Sequence, residues 1–138
     1  MVKGRFGICI PVYGRTYASK QVQPNFKVLK EIAVMADRKG YDSIWIPDHL
    51  MNPDGSYPRG RELRDRWYQG VFEAWTTLSA LSTVTSRVRL SNIVLCNLFR
   101  YPSVLAKMVA TLDLISNGRV DLGIGAGWFR GECKAYGI

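Results

Sequence analysis

The chain has 138 residues, 47% of them apolar and 22% charged, the balance of an ordinary globular domain and not of a disordered or collagen-like chain. No apolar run reaches the roughly 18 residues expected of a membrane span, and Met1-Val2-Lys3-Gly4-Arg5 leads straight into a strand-like run without the long apolar stretch of a secretory signal. A formal net charge of +8 attracts anions through its long-range field, which suits either a nucleic acid or a phosphorylated cofactor.

Phe6 to Val12 is an apolar run closed by Tyr13-Gly14 and predicts a buried strand. A polar segment follows as far as Pro24. Asn25 is placed as an N-cap, and Leu29, Ile32, Ala33 and Ala36 fall at i, i+3, i+4, i+7, one face of a helix. Gly40 is placed to end that helix in the left-handed conformation. Tyr41 to Ile46 predicts a second strand, stopped by Pro47, which has no N–H to give a central ladder.

The stretch from Met51 to Gly70 is polar and rich in Pro, Gly and Arg, a loop of a length that is uncommon inside a compact domain and often functional. Phe72 to Thr85 predicts a second helix with Trp75, Leu78 and Leu81 three apart, and Val88 to Leu95 a third strand. Pro102 suits the first turn of a third helix. Its buried face is Leu105, Met108, Val109 and Leu112, and Asn117-Gly118 stops it. Val120 to Ile124 predicts a fourth strand opening into Gly125-Ala126-Gly127-Trp128.

Strands alternating with helices imply parallel strands joined by right-handed crossovers. The pattern fits an open doubly wound sheet and part of a closed barrel equally. In both, ligands sit at the C-terminal ends of the strands. That face collects Tyr13-Gly14, Asp48-His49-Leu50, Cys96 to Arg100, and Gly125 to Trp128.

Within these segments His49, the chain's one histidine, is the candidate proton carrier because imidazole titrates near neutrality. A hydrogen-bonded structural histidine is the alternative, and Asp48 beside it could orient the ring or bind a polar ligand group. Gly123, Gly125 and Gly127 spell G-x-G-x-G, which is not the dinucleotide fingerprint. They allow either close approach of backbone to a flat ligand or a tight strand exit. Cys9, Cys96 and Cys133 are far apart with no C-x-x-C pair. A disulfide framework and a zinc site are not expected, and the setting is expected to be a reducing cytoplasm. Arg59, Arg61, Arg64 and Arg66, followed by Trp67-Tyr68, could grip single-stranded nucleic acid. With Glu62 and Asp65 interspersed they read instead as a solvated loop, so no nucleic-acid partner is expected.

Four segments in order, F-G-I-C-I-P at Phe6 to Pro11, Y-D-S-I-W-I-P-D-H-L at Tyr41 to Leu50, N-L-F-R-Y-P-S-V-L-A-K-M-V-A-T-L-D at Asn97 to Asp113, and S-N-G-R-V-D-L-G-I-G-A-G-W at Ser116 to Trp128, together resemble the luciferase-like monooxygenase family. The tail Gly131 to Ile138 resembles the family's continuation after its fourth strand. The resemblance implies a (β/α)8 barrel of TIM type of which residues 1–138 would supply the N-terminal half, β1-α1-β2-α2-β3-α3-β4, since a whole barrel takes roughly 250 residues. It implies an oxidoreductase or monooxygenase moving a hydride between a ring and a small organic substrate. The ring would be FMN or coenzyme F420, with D-H-L and G-A-G-W nearer to the deazaflavin members.

His49 matches the family's acid/base histidine and Asp48 its neighbour. Ile93 and Val94 match a bulge that backs the ring, often through a non-proline cis peptide, and Cys96 a position near the ring edge. Gly125 and Gly127 fall at the cofactor side. Deazaflavin-dependent sugar-phosphate dehydrogenases carry a glutamate where Trp128 stands, a departure from that subgroup. Four strands cannot close a barrel, so a lone monomer of 138 residues is expected to be inactive. It would be completed by a second copy as a homo-oligomer or by a missing C-terminal half, or act as a non-catalytic cofactor-binding or assembly fragment.

Overall fold

The computed structural model describes residues 4–12, 15–17, 20–22, 25–51 and 71–138. Tyr13-Gly14 and the Arg59 to Tyr68 cluster lie outside the described residues. Strand β1 (Gly7–Cys9) is followed by a short antiparallel pair, β2 (Arg15–Tyr17) and β3 (Lys20–Val22), in a segment whose sequence showed only polarity. Then come helix α1 (Phe26–Lys39), β4 (Ser43–Ile46), α2 (Ala74–Ser82), β5 (Arg89–Asn92), β6 (Leu95–Cys96), α3 (Pro102–Ser116), β7 (Val120–Asp121), β8 (Ile124–Gly125) and α4 (Arg130–Tyr136). The principal sheet is parallel throughout, in the order β1-β4-β5-β7. Sequential order is what successive right-handed β-α units produce. A doubly wound sheet would instead have put the first strand between the second and third.

Local chemistry accounts for the helix ends. Asn25 accepts a hydrogen bond from the Lys27 N–H at the start of α1, and Gly40 ends it at φ 81°. Asn117 (φ 58°) and Gly118 (φ 77°) turn the chain out of α3. Glu73 caps α2, its carboxylate accepting from the N–H groups of Trp75 and Thr76, so that helix is shorter at both ends than the Phe72 to Thr85 span predicted from its periodicity.

The third and fourth predicted strands are each broken in two. The third divides around Ile93-Val94, whose peptide bond is cis, and the fourth divides at Leu122-Gly123. Beyond the break the halves pair again, β6 with β8.

One face of the sheet meets the helices. Ile10, Ile44, Ile46, Val88 and Leu90 pack with Leu29, Ala33 and Ala36 of α1, Trp75, Leu78 and Leu81 of α2, and Leu105 and Leu112 of α3 in a single buried cluster. The opposite face is polar. Pairing register aligns Cys9, Trp45, Ser91 and Asp121 in one row and Gly7, Ser43 and Arg89 in the next. Trp45 Nε1 donates to Ser43 Oγ at 2.7 Å, and Arg89 donates to both oxygens of Asp121 at 2.7 and 2.6 Å. The Arg89 guanidinium holds the Asp121 carboxyl below its ordinary value. β1 and β7 are the edges of this sheet.

The end of the sheet remote from the site is fastened by Arg119. Its guanidinium is buried and donates to the carbonyls of Ser116, Ser82, Thr85 and Val88 and to Thr85 Oγ1, tying the end of α2 to the start of β5 and the end of α3. Arg119→Ala leaves those carbonyls without donors and is expected to destabilise the fold by about 2–4 kcal/mol, since hydrogen bonds to a charged group contribute ~1.5–3 kcal/mol each and do not add fully. The urea midpoint measures this.

Asp37 has the matching task at the end of α1, accepting from the N–H groups of Ser86, Arg87 and Val88. Burial raises its pKa, but these three donors outweigh burial and the carboxyl titrates below its ordinary value. A depressed folded pKa means stability that is complete above the unfolded carboxylate range and lost as pH falls through the folded value. Urea midpoints measured on acidification should therefore fall less steeply in Asp37→Asn than in the wild type.

Candidate functional site

At the C-terminal ends of β4, β6 and β8 a cavity of about 390 Å³ is lined by residues that include Asp48, His49, Ile93, Val94, Cys96, Gly125, Gly127, Trp128 and Glu132. All seven residues singled out from the sequence as catalytic or cofactor-binding thus meet in one place. Their environments differ.

Asp48 follows β4 and has no side-chain exposure. It accepts from the Cys96 N–H at 2.9 Å and from both terminal nitrogens of Arg100 at 2.8 and 3.0 Å. Arg100 also pairs with Glu73, the cap of α2. Burial acts to lower the Arg100 pKa, but the two carboxylates outweigh it and raise it. Burial acts to raise that of Glu73, and the donors from Thr76, Trp75 and Arg100 bring it below its ordinary value. Asp48 therefore faces a protein cation and a strand N–H, and holds β4, β6 and α2 together at their cavity ends.

His49 stands half-buried at the cavity wall, with 15% of its side chain exposed. Its Nδ1 lies 3.0 Å from Glu132 Oε2, and the Trp128 ring meets the imidazole edge-on at a centroid distance of 5.9 Å. Glu132 is buried and also accepts from the N–H groups of Leu50 and Met51, the latter at 3.0 Å. Tyr136 Oη donates to the Leu50 carbonyl at 2.8 Å. Helix α4 thus grips residues 49–51 at three successive positions.

Sequence reasoning assigned no role to Glu132, Arg100 or Glu73. For Glu132 a signal existed: Phe129, Glu132, Cys133 and Tyr136 fall at i, i+3, i+4, i+7, so an acid sits on the apolar face of a short helix. Nothing local pointed from it to His49, 83 residues away.

The glycines serve close strand contact. A Cβ on Gly123 would stand 2.5 Å from the Asn92 carbonyl oxygen, and one on Gly125 2.5 Å from Val94 Cγ2. Gly127, at φ 81°, would meet Cys96 Sγ at 2.8 Å. With β8 pressed this close, Ile93 and Val94 stay 53% and 48% exposed and form an apolar surface on the cavity. Burial raises the pKa of the Cys96 thiol, which favours the neutral form.

A family model for luciferase-like monooxygenase matches residues 4–138. The chain belongs to the luciferase-like monooxygenase family. Among its relatives, an F420-dependent glucose-6-phosphate dehydrogenase of Amycolatopsis mediterranei is 37% identical over 113 residues, 79% of this chain and 30% of that protein. An uncharacterised protein of Mycobacterium tuberculosis is 35% identical over 111 residues, 77% of this chain and 39% of that protein. The chain therefore spans well under half the length of these curated relatives.

Solved structures that share the fold include the following two. An F420-dependent secondary alcohol dehydrogenase in complex with an F420-acetone adduct superposes with a TM-score of 0.71 at 24% identity over 99% of this chain and 36% of the other. The oxygenating constituent of 3,6-diketocamphane monooxygenase from Pseudomonas putida, in complex with FMN, does so with a TM-score of 0.70 at 24% identity over 97% and 32%. No helix among the described residues of this luciferase-like chain is long and apolar enough to cross a membrane.

Removing one partner of a buried ion pair leaves an uncompensated charge. Arg100→Met is accordingly expected to cost about 3–5 kcal/mol of folding stability, read from chemical unfolding. Asp48→Asn with Arg100→Met together should recover part of that loss.

Proposed function

We propose that this protein is an oxidoreductase that holds FMN or coenzyme F420 at the cavity and transfers a hydride between the ring and a small organic substrate. Residues 1–138 would be the first half of a (β/α)8 barrel, with β1, β4, β5 and β7 as its first four strands. The observation that carries the proposal is the pairing, within one cavity, of an exposed apolar surface at Ile93-Val94 with an imidazole fixed at its edge. A tricyclic ring needs a flat apolar support on one face, and Ile93, Val94 and the backbone of Gly125 and Gly127 fit that need. Cys96, buried and biased to the thiol, lies at the same wall.

The ring supplies the two-electron chemistry when bound; the protein supplies position and polarity. In this scheme His49 gives or takes one proton at the substrate while the apolar wall excludes water. Asp48 acts by holding the β4 exit through Arg100 and the Cys96 N–H. Trp128, edge-on to His49 and 59% exposed, supplies an aromatic rim on the substrate side. An uncharged indole at that position favours neutral or aromatic substrates over sugar phosphates, which speaks for secondary alcohols, ketones or ring compounds as the substrate class.

Equilibrium titration of the protein with FMN and with coenzyme F420, followed by ring fluorescence, tests the cofactor assignment. Saturable binding of one of them is expected, weakened about tenfold or more by Val94→Asp, since ~1.5–3 kcal/mol of apolar burial would be lost. Binding of neither would overturn the proposal. In the holoenzyme, His49→Ala is expected to lower turnover about 10²-fold with cofactor affinity retained; unchanged turnover would remove the proton-transfer role.

A further inference from the structure

The Glu132 carboxylate has three donors at one spot: His49 Nδ1 at 3.0 Å and the N–H groups of Leu50 and Met51. Its side chain is 2% exposed, so water does not satisfy it and protein donors must. Oε1 takes the two backbone N–H groups and Oε2 faces the imidazole. A carboxylate oxygen accepts and does not donate. The nitrogen that faces Oε2 must therefore carry a proton. In the neutral ring that assigns the proton to Nδ1 and leaves Nε2 as the nitrogen with the lone pair.

We infer that Glu132 is a positioning residue for His49, one that sets the imidazole's tautomer and ring angle through Nδ1 so that Nε2 is the nitrogen that carries the lone pair. The inference rests on the reading of His49 as the proton carrier, which it makes atom-specific. Three further features support it. Glu132 does not merely touch the ring but is bonded to the two residues that follow it, so His49 and the backbone that carries it are fixed to the same rigid group. Tyr136, one helical turn further along α4, adds a bond to the Leu50 carbonyl at 2.8 Å. The Trp128 ring stands edge-on to the imidazole and limits its rotation out of this orientation.

His49 is the chain's one histidine, so the imidazole ¹⁵N resonances of the uniformly labelled protein belong to it alone. Imidazole in water favours the proton on Nε2. The expected spectrum, recorded at a pH where the ring is neutral, is the reverse: a protonated Nδ1 and an unprotonated Nε2. In Glu132→Gln, nearly isosteric and still able to accept from the backbone through its carbonyl, the side-chain amide offers the imidazole a donor as well as an acceptor. The Nδ1–H preference should then fall or invert, and Glu132→Asp should restore it in part. Dominance of the Nε2–H form in the wild type would overturn the inference even if no variant folds, and so would an Nδ1–H preference that persists unchanged in Glu132→Gln. The readout is the ring itself. A failure of the redox proposal would appear in the cofactor titration and in His49→Ala turnover, and would leave this spectrum as it is.

Discussion

A carboxylate buried as completely as that of Asp48 is tolerated only where donors replace its lost water, and the donors here come from two other elements. The Cys96 N–H belongs to β6, and the Arg100 guanidinium, carried just before α3, reaches on to Glu73 at the head of α2. One buried group thereby joins the exits of two adjacent strand segments and the start of the helix between them. Parallel strands have no hairpin to hold their ends together, so a tie of this kind decides where each exit loop stands. The position of His49, the next residue, follows from it.

The other side of the same segment is held by α4. Residues 49–51 meet Glu132 through an imidazole nitrogen and two backbone N–H groups, and Tyr136 through a carbonyl. The β4 exit is thus clamped between Arg100 on one flank and a short helix on the other. A loop fixed on both flanks holds the imidazole in place without relying on the loop's own conformational preference. The cavity's opposite wall depends on glycine. Because Gly123 and Gly125 have no Cβ, β8 lies against Asn92 and Val94 more closely than any other residue type would permit. The Ile93 and Val94 side chains are left turned to the cavity.

Much of this was legible beforehand where chemistry is local. The Asn25 cap, the Gly40 and Asn117-Gly118 stops, Pro102 at the start of α3 and the apolar faces of the three long helices follow from rules that act within one helical turn. The breaks in the third and fourth strands do not, because Val88 to Leu95 and Val120 to Ile124 each read as one uninterrupted strand; the family resemblance pointed to the Ile93-Val94 distortion where periodicity could not. The β2-β3 pair escaped notice since its residues do not alternate apolar with polar. α4 escaped because it is a short helix just after a glycine-rich stretch.

The amino-acid sequence by itself determined the order of the four principal strands and three long helices, the buried faces of those helices and which strand ends meet at the cavity, because each strand end in a parallel β-α chain is brought to the same side by the handedness of its crossovers. Tertiary structure alone decided the partners. Asp48 adjoins His49 in sequence and offered itself as a carboxylate to orient the ring or to bind a polar ligand group, yet Asp48 is bound to Arg100 and the acid that meets the imidazole is Glu132. Successive residues at a strand end point to opposite sides of the chain, so Asp48 and His49 face different neighbours. Which acid meets the imidazole depends on how α4 packs against the β4 exit, across a separation of 83 residues that no local pattern encodes.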